Sequence, residues 1–198
     1  MSSAILMEHA SDPGEALERY RQYLLVLASV HLAPELRRKL DPADLVQQTL
    51  IRAHAALPDL RATDPAGVSA WLRTILANEL RDALKHFRRD KRDVAREFPL
   101  DADLDRSASG LADWLAAGHT SPSGRASHNE QLLRLANALA ELPETMREVV
   151  VLKHCQGWTL QRIADRIEKS VPAVASYLRR GLKRLREHLA HGESPDAQ

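Results

Sequence analysis

Residues 159–190, TLQRIADRIEKSVPAVASYLRRGLKRLREHLA, carry two helical patterns separated by only a few residues. Thr159 opens a short helix to Ile167, and Ser170 caps a last helix running to about Ala190. In that last helix Val171, Val174, Leu178, Leu182, Leu185 and Leu189 fall on one stripe. Pro172, Ser176, Arg179, Lys183 and Arg186 fall on another, at steps of three and four. A basic helix that follows its neighbour after so short a turn predicts a helix-turn-helix, with the last helix entering the major groove of DNA. Residues near its start reach base edges, while the later Arg and Lys residues neutralise phosphates. A solvated basic face on an ordinary amphipathic helix is the plainer alternative.

Working upstream, a helix follows Pro143, and Ser127 with Glu130 form an S-x-x-E capping box before the run LLRLANALAEL. Residues 97–126 hold Pro, Ser, Gly and Asp with little apolar periodicity and read as a linker, LADWLAA around Trp114 excepted. The first half reads as three helices. An apolar segment around Tyr20 to Leu32 ends at Pro34, and a short basic turn, Glu35 to Leu40, follows. Asp41 is an N-cap, Pro42 suits the first helical position, and Asp44 favours the positive helix end. Val46, Leu50, Ala53 and Leu57 then recur at helical spacing, leaving Asp44, Gln47 and Gln48 on a solvated surface. After PDLRATDPAG, the residues Leu72, Ile75, Leu76, Leu80, Leu84 and Phe87 form the stripe of a third helix that fades into FRRDKRD.

Composition agrees with an all-α chain, since Leu, Ala, Arg, Glu and Asp dominate and aromatics make up 4%. The 198 residues suffice for two small helical domains. The net charge of +1 hides a segregation. Arg73 to Arg96 carries eight basic residues against four acidic ones, Glu168 to His188 six against two, and Glu97 to Glu130 six acids against two bases. Cys155 is the only cysteine, MSSAILMEHASD has no signal-peptide pattern, and Leu24 to Ala33 is too short to span a bilayer. A cytoplasmic protein without a membrane span is therefore expected. Catalysis finds no support: His154 and Cys155 are adjacent and point apart on a helix, with no orienting acid. His188 and His191 have metal-like spacing but no further ligand cluster, and there is no phosphate-cradling glycine loop. No enzyme activity, metal or cofactor is expected.

Three stretches together resemble the extracytoplasmic-function (ECF) subgroup of the bacterial sigma-70 family. Residues 142–189, LPETMREVVVLKHCQGWTLQRIADRIEKSVPAVASYLRRGLKRLREHL, are similar to the family's fourth region, which binds the -35 promoter element. DPADLVQQTLIRAHAAL resembles the polymerase-binding helix of the second region, and WLRTILANELRDALKHFRRDKR the segment that melts and reads the -10 element. The resemblance implies a region 2 helical bundle over residues 1–96, an acidic flexible linker over 97–126, a region 4 helix-turn-helix domain over 127–190 and a tail over 191–198. It implies polymerase contacts at Asp44, Gln47 and Gln48, and -10 contacts at Leu60, Arg61, Ala62, Asn78, Arg81, Lys85, Arg88, Arg89 and Arg92. Asn78 and the 60–62 loop would hold an extruded base, which needs hydrogen bonds to recover the cost of unstacking. The -35 contacts would be Ser170, Pro172, Ala173, Ser176, Arg179, Arg180 and Lys183. Core RNA polymerase and promoter DNA are the implied partners, with an inhibitory anti-sigma factor as a further one.

The chain departs from the family at several points. Glu168 replaces the usual turn glycine, which is costly at positive φ, and Arg162 replaces a usual Glu, removing a capping box with Thr159. Ala175 and Tyr177 replace commonly polar or basic residues, which bears on the promoter sequence. Two readings of the linker stay open: Asp101, Asp103, Asp105 and Asp113 imitate nucleic-acid charge, or the segment is a plain tether. Trp114, with Leu111 and Leu115, would dock on a folded half if it holds the chain inactive. A helix-turn-helix regulator that binds an operator without joining polymerase is the rival class, although it has no evident need for the sequence around Asp44 to Gln47.

Overall fold

The computed structural model describes residues 12–32, 39–61, 64–89, 104–107, 109–110 and 125–191. Their helices are α1 (Pro13–Glu18), α2 (Arg21–His31), α3 (Pro42–Ala55), α4 (Pro65–Arg89), α5 (Arg125–Ala140), α6 (Glu144–His154), α7 (Leu160–Ile167) and α8 (Val171–His191), with a 3-10 turn at Leu57–Asp59. No strand occurs among the described residues. Three helices start with the same device, an aspartate followed by proline. Asp12, Asp41 and Asp64 accept hydrogen bonds from Gly14 N–H (2.9 Å), Ala43 N–H (2.8 Å) and Gly67 N–H (2.7 Å), and each following proline occupies a position that needs no donor. Each cap contributes about 1 kcal/mol.

Two expectations about helix starts change. Asp12 supports α1 ahead of the apolar Tyr20 to Leu32 run, so that region is two helices. Ser127 falls inside α5, which begins earlier, at Arg125, and Glu130 pairs with Arg134 at 2.8 Å.

In the first half, α2, α3 and α4 pack on one another and bury Tyr23, Leu24, Leu27, Val46, Leu50, Leu72, Leu76 and Leu80. The second half has a small cluster of its own, Val149, Leu152, Ile163, Ala164 and Val174, which fixes α7 and α8 on α6. The halves also pack together, with α5 lying on α2 and α4 so that Leu135 and Leu139 join the first core. The 104–110 stretch takes part: Leu104 is fully buried, Asp105 pairs with Arg73 at 2.8 Å, and Ser107 meets His31 Nε2 at 3.1 Å. Within the expected linker, this stretch is thus anchored. Trp114, Leu111 and Leu115 lie outside the described residues.

Candidate nucleic-acid and polymerase interfaces

The first surface is on α3. Asp41 and Pro42 set its start, and the burial of Leu45, Val46, Thr49 and Leu50 turns Asp44, Gln47 and Gln48 outward. Gln47 is already oriented, since its side-chain oxygen accepts from Arg21 Nη2 at 2.7 Å, and Arg21 in turn binds Glu18 through two nitrogens at 2.5 and 2.6 Å. Sequence reasoning missed Ile51. It is the exposed large hydrophobic among the described residues, at 52%, and it sits one turn beyond Gln47 and Gln48 on the same face. A single exposed apolar side chain is ordinary on a protein surface, and its place beside Gln47 and Gln48 is what makes Ile51 a candidate for the same contact.

The second surface lies along α4. Asn78 is exposed and accepts from Arg81 Nη1 at 2.5 Å, and Lys85 is exposed further along the helix. Arg61 is exposed, whereas Leu60 is 3% exposed and packs in the core, so only its backbone is available to a base. Arg88 and Arg89 end the helix, without described side chains, and Ala62 and Arg92 lie outside the described residues. Arg73 leaves the basic stripe: its guanidinium is held by Asp105 and by the Tyr23 hydroxyl, which accepts at 3.0 Å. Trp71 packs against the core.

The third surface is the helix-turn-helix. Glu168 ends α7 in the left-handed region, at φ 54° and ψ 46°, so the glycine replacement falls where glycine is favoured. Ser170 Oγ then accepts from Ala173 N–H at 3.4 Å to start α8. Val174 and Leu185 bury the core stripe, and Pro172, Arg179, Arg180 and Lys183 are exposed, with Ala173 and Ser176 half-buried. Arg180 lies 5.1 Å from the Tyr177 ring and donates to Ser176 O at 3.4 Å, so the replacement Tyr177 steers a basic side chain. Thr159 still caps α7 through Arg162 N–H at 3.2 Å, and the Arg162 guanidinium stacks 3.7 Å from the Trp158 ring centre. Cys155 is buried, and burial pushes its thiol up to about 12, an inert state. No His, Cys, Asp and Glu group suited to a metal occurs among the described residues, and no helix among them is long and apolar enough to cross a membrane.

A helix-turn-helix with an exposed basic face, carried behind a helical bundle with its own polar and basic surfaces, is an arrangement of the kind that meets duplex DNA with its last helix. Residues 17–92 match Sigma-70 region 2, and residues 132–185 match Sigma-70, region 4. RNA polymerase sigma factor CarQ of Myxococcus xanthus is 34% identical over 123 residues, covering 62% of this chain and 61% of that protein. RNA polymerase sigma factor CnrH of Cupriavidus metallidurans is 32% identical, covering 73% and 71%. RNA polymerase sigma-E factor of Streptomyces avermitilis is 29% identical, covering 89% and 87%. The solved complex of sigma factor RpoE with anti-sigma factor NepR from Bartonella quintana aligns with 22% identity and a TM-score of 0.34, over 88% of this chain and 92% of that one. The chain belongs to the sigma-70 family of RNA polymerase sigma factors, in its ECF branch. It spans somewhat less than two thirds of CarQ.

Proposed function

We propose that this chain directs core RNA polymerase to specific promoters and assists strand opening, acting as an initiation factor in the cytoplasm and not as a catalyst. The observation that carries this is the presence of both sigma-70 regions, in order, on one chain. Residues 1–96 attach to polymerase through Asp44, Gln47 and Gln48 and stabilise the opened -10 strand. Asn78 and the Leu60 backbone, with Arg61 and Ala62, receive the extruded base, while Arg81, Lys85, Arg88, Arg89 and Arg92 follow phosphates. Residues 97–126 connect to 127–190, whose α8 reads the -35 duplex through Ser170, Pro172, Ala173, Ser176, Arg179, Arg180 and Lys183. Opening draws on binding energy. An anti-sigma factor is a further partner of this function.

The test is runoff transcription with purified core polymerase of the source organism, a library of its promoter fragments and this protein as the sole added factor. Specific transcripts lost on Asp44→Ala or Arg179→Ala support the function. Salt-sensitive binding to a palindromic site without transcription supports an operator-binding regulator.

A further inference from the structure

We propose that Arg162 is a phosphate-binding residue of the -35 contact, held ready by Trp158. The inference rests on the promoter function above. In a helix-turn-helix the first helix crosses the DNA backbone while the second enters the groove. Arg162 is in the first turn of that first helix, α7, and its side chain is exposed. A cation there opposes the positive end of the helix and forfeits a capping box, and its stacking on Trp158 offsets this by only about 0.5–1 kcal/mol. A phosphate supplies the counter-charge that the helix end does not.

The surroundings of Arg162 are built. The Trp158 N–H donates to Leu152 O at 3.1 Å, and its carbonyl accepts from Lys153 Nζ at 3.3 Å, which fixes the residue at the end of α6. Its ring faces two guanidiniums, Arg162 at 3.7 Å and Arg166 at 5.4 Å. They differ in state. Arg166 is largely buried and donates to Glu148 Oε1 at 3.0 Å, so its charge is neutralised and it serves as an anchor. Among the described residues no carboxylate pairs with Arg162, and Asp165 one turn on is engaged by Gln161 at 2.9 Å. Stacking restricts the Arg162 side chain but leaves its planar fork of donors available for phosphate oxygens. The -35 contact thereby draws a phosphate ligand from α7 as well as from Arg179, Arg180 and Lys183 on α8.

The experiment measures holoenzyme binding to a promoter fragment recovered by runoff, as a function of salt, for the parent, Arg162→Gln, Arg162→Lys, Trp158→Leu and Arg179→Gln. One phosphate contact contributes about −0.9 to the slope of log K against log salt, or about fivefold in affinity near 0.15 M. Arg162→Gln is expected to bind about fivefold more weakly with the slope reduced by about one, equally on fragments that differ in the -35 sequence. Arg162→Lys is expected to restore the slope, and Trp158→Leu to weaken binding while keeping it. A slope unchanged in Arg162→Gln, with binding reduced in Arg179→Gln, overturns the proposal and leaves the promoter function standing. Indifference of both variants overturns the two together. Thermal melts separate loss of contact from loss of fold, because mere cover of Trp158 would move the melting temperature and not the slope.

Discussion

The Ser69 hydroxyl donates a 2.6 Å hydrogen bond to the side-chain oxygen of Asn129, 60 residues along the chain, with both residues buried. The Asn129 amide nitrogen reaches the Tyr20 hydroxyl at 3.5 Å. Ser69 lies within the region 2 match and Asn129 just ahead of the region 4 match, so this contact ties the halves together. A buried amide that loses a partner costs about 1–3 kcal/mol. Ser69→Ala is expected to destabilise the free chain by that amount, at roughly 2–4 °C of Tm per kcal/mol. Circular dichroism melts check it, and an unchanged Tm would show that Asn129 finds another donor.

Glu168 is the non-glycine residue with positive φ among the described residues. The left-handed region costs an L-residue about 1–2 kcal/mol, part of which glycine returns as lost backbone freedom. Glu168→Gly is expected to stabilise the protein by about 0.5–1 kcal/mol and Glu168→Val to destabilise it. A melt of each variant against the parent decides.

The parts of this fold that were legible in the sequence are those set within one helix. Asp41 with Pro42, Thr159 and Ser170 act on neighbours two or three residues away, and the stripe from Val171 to Leu189 repeats with the helix, so both leave a local pattern. Packing of α5 on α2 and α4 leaves no such pattern, because the apolar residues of α5 are consistent with burial against any partner. Leu104 shows the same limit: one leucine among acids has no period, yet it is fully buried. Charge counting places Arg73 in the basic stripe because it does not see Asp105, 32 residues away. Among candidate site residues, Asp44, Gln47 and Gln48 are legible as an outward face, whereas nothing local in the sequence shows that Leu60 is buried, leaving its backbone alone exposed to a contact.

Ile51 gives the α3 face an apolar centre at no cost to the core. Ile51→Asp is expected to weaken binding of core polymerase by about 1–2 kcal/mol, roughly five- to thirtyfold, with Tm unchanged within about 1 °C. Competition with a second sigma factor for core polymerase measures the first, and a melt the second. A fall in Tm without a fall in affinity would return Ile51 to a structural role.

Glu79 is buried on α4 with its carboxylate 2.6 Å from Arg52 Nε, and Arg52 also lies 3.8 Å from Asp82. Burial raises the Glu79 carboxyl above its usual value of 4.5, Arg52 opposes this and Asp82 adds to it. With the folded pKa above the unfolded one, the stabilising contribution is complete below 4.5 and is lost as pH rises through the folded value. Glu79→Gln imitates the neutral acid. Its Tm is expected to exceed that of the parent at about pH 7, with the gap closing towards pH 4.5. A gap that widens on acidification would mean that the Arg52 pair outweighs burial.

Gly110 approaches Cys155 so closely that a Cβ added there would lie 2.7 Å from the Cys155 carbonyl oxygen and 3.0 Å from its Cα. Both are backbone atoms at the end of α6 and cannot rotate away, so Gly110→Ala must lift the 104–110 stretch from the second half. Cys155 reports the change, being the single cysteine, 5% exposed, with a thiol raised by burial to about 12. At neutral pH such a thiol is almost wholly protonated and reacts slowly with iodoacetamide. Gly110→Ala is expected to speed alkylation about tenfold, as access to water restores part of the ordinary thiol acidity. Mass spectrometry of timed samples follows the rate. Equal rates in parent and variant would show that α6 and its own neighbours shield the thiol without the 104–110 stretch.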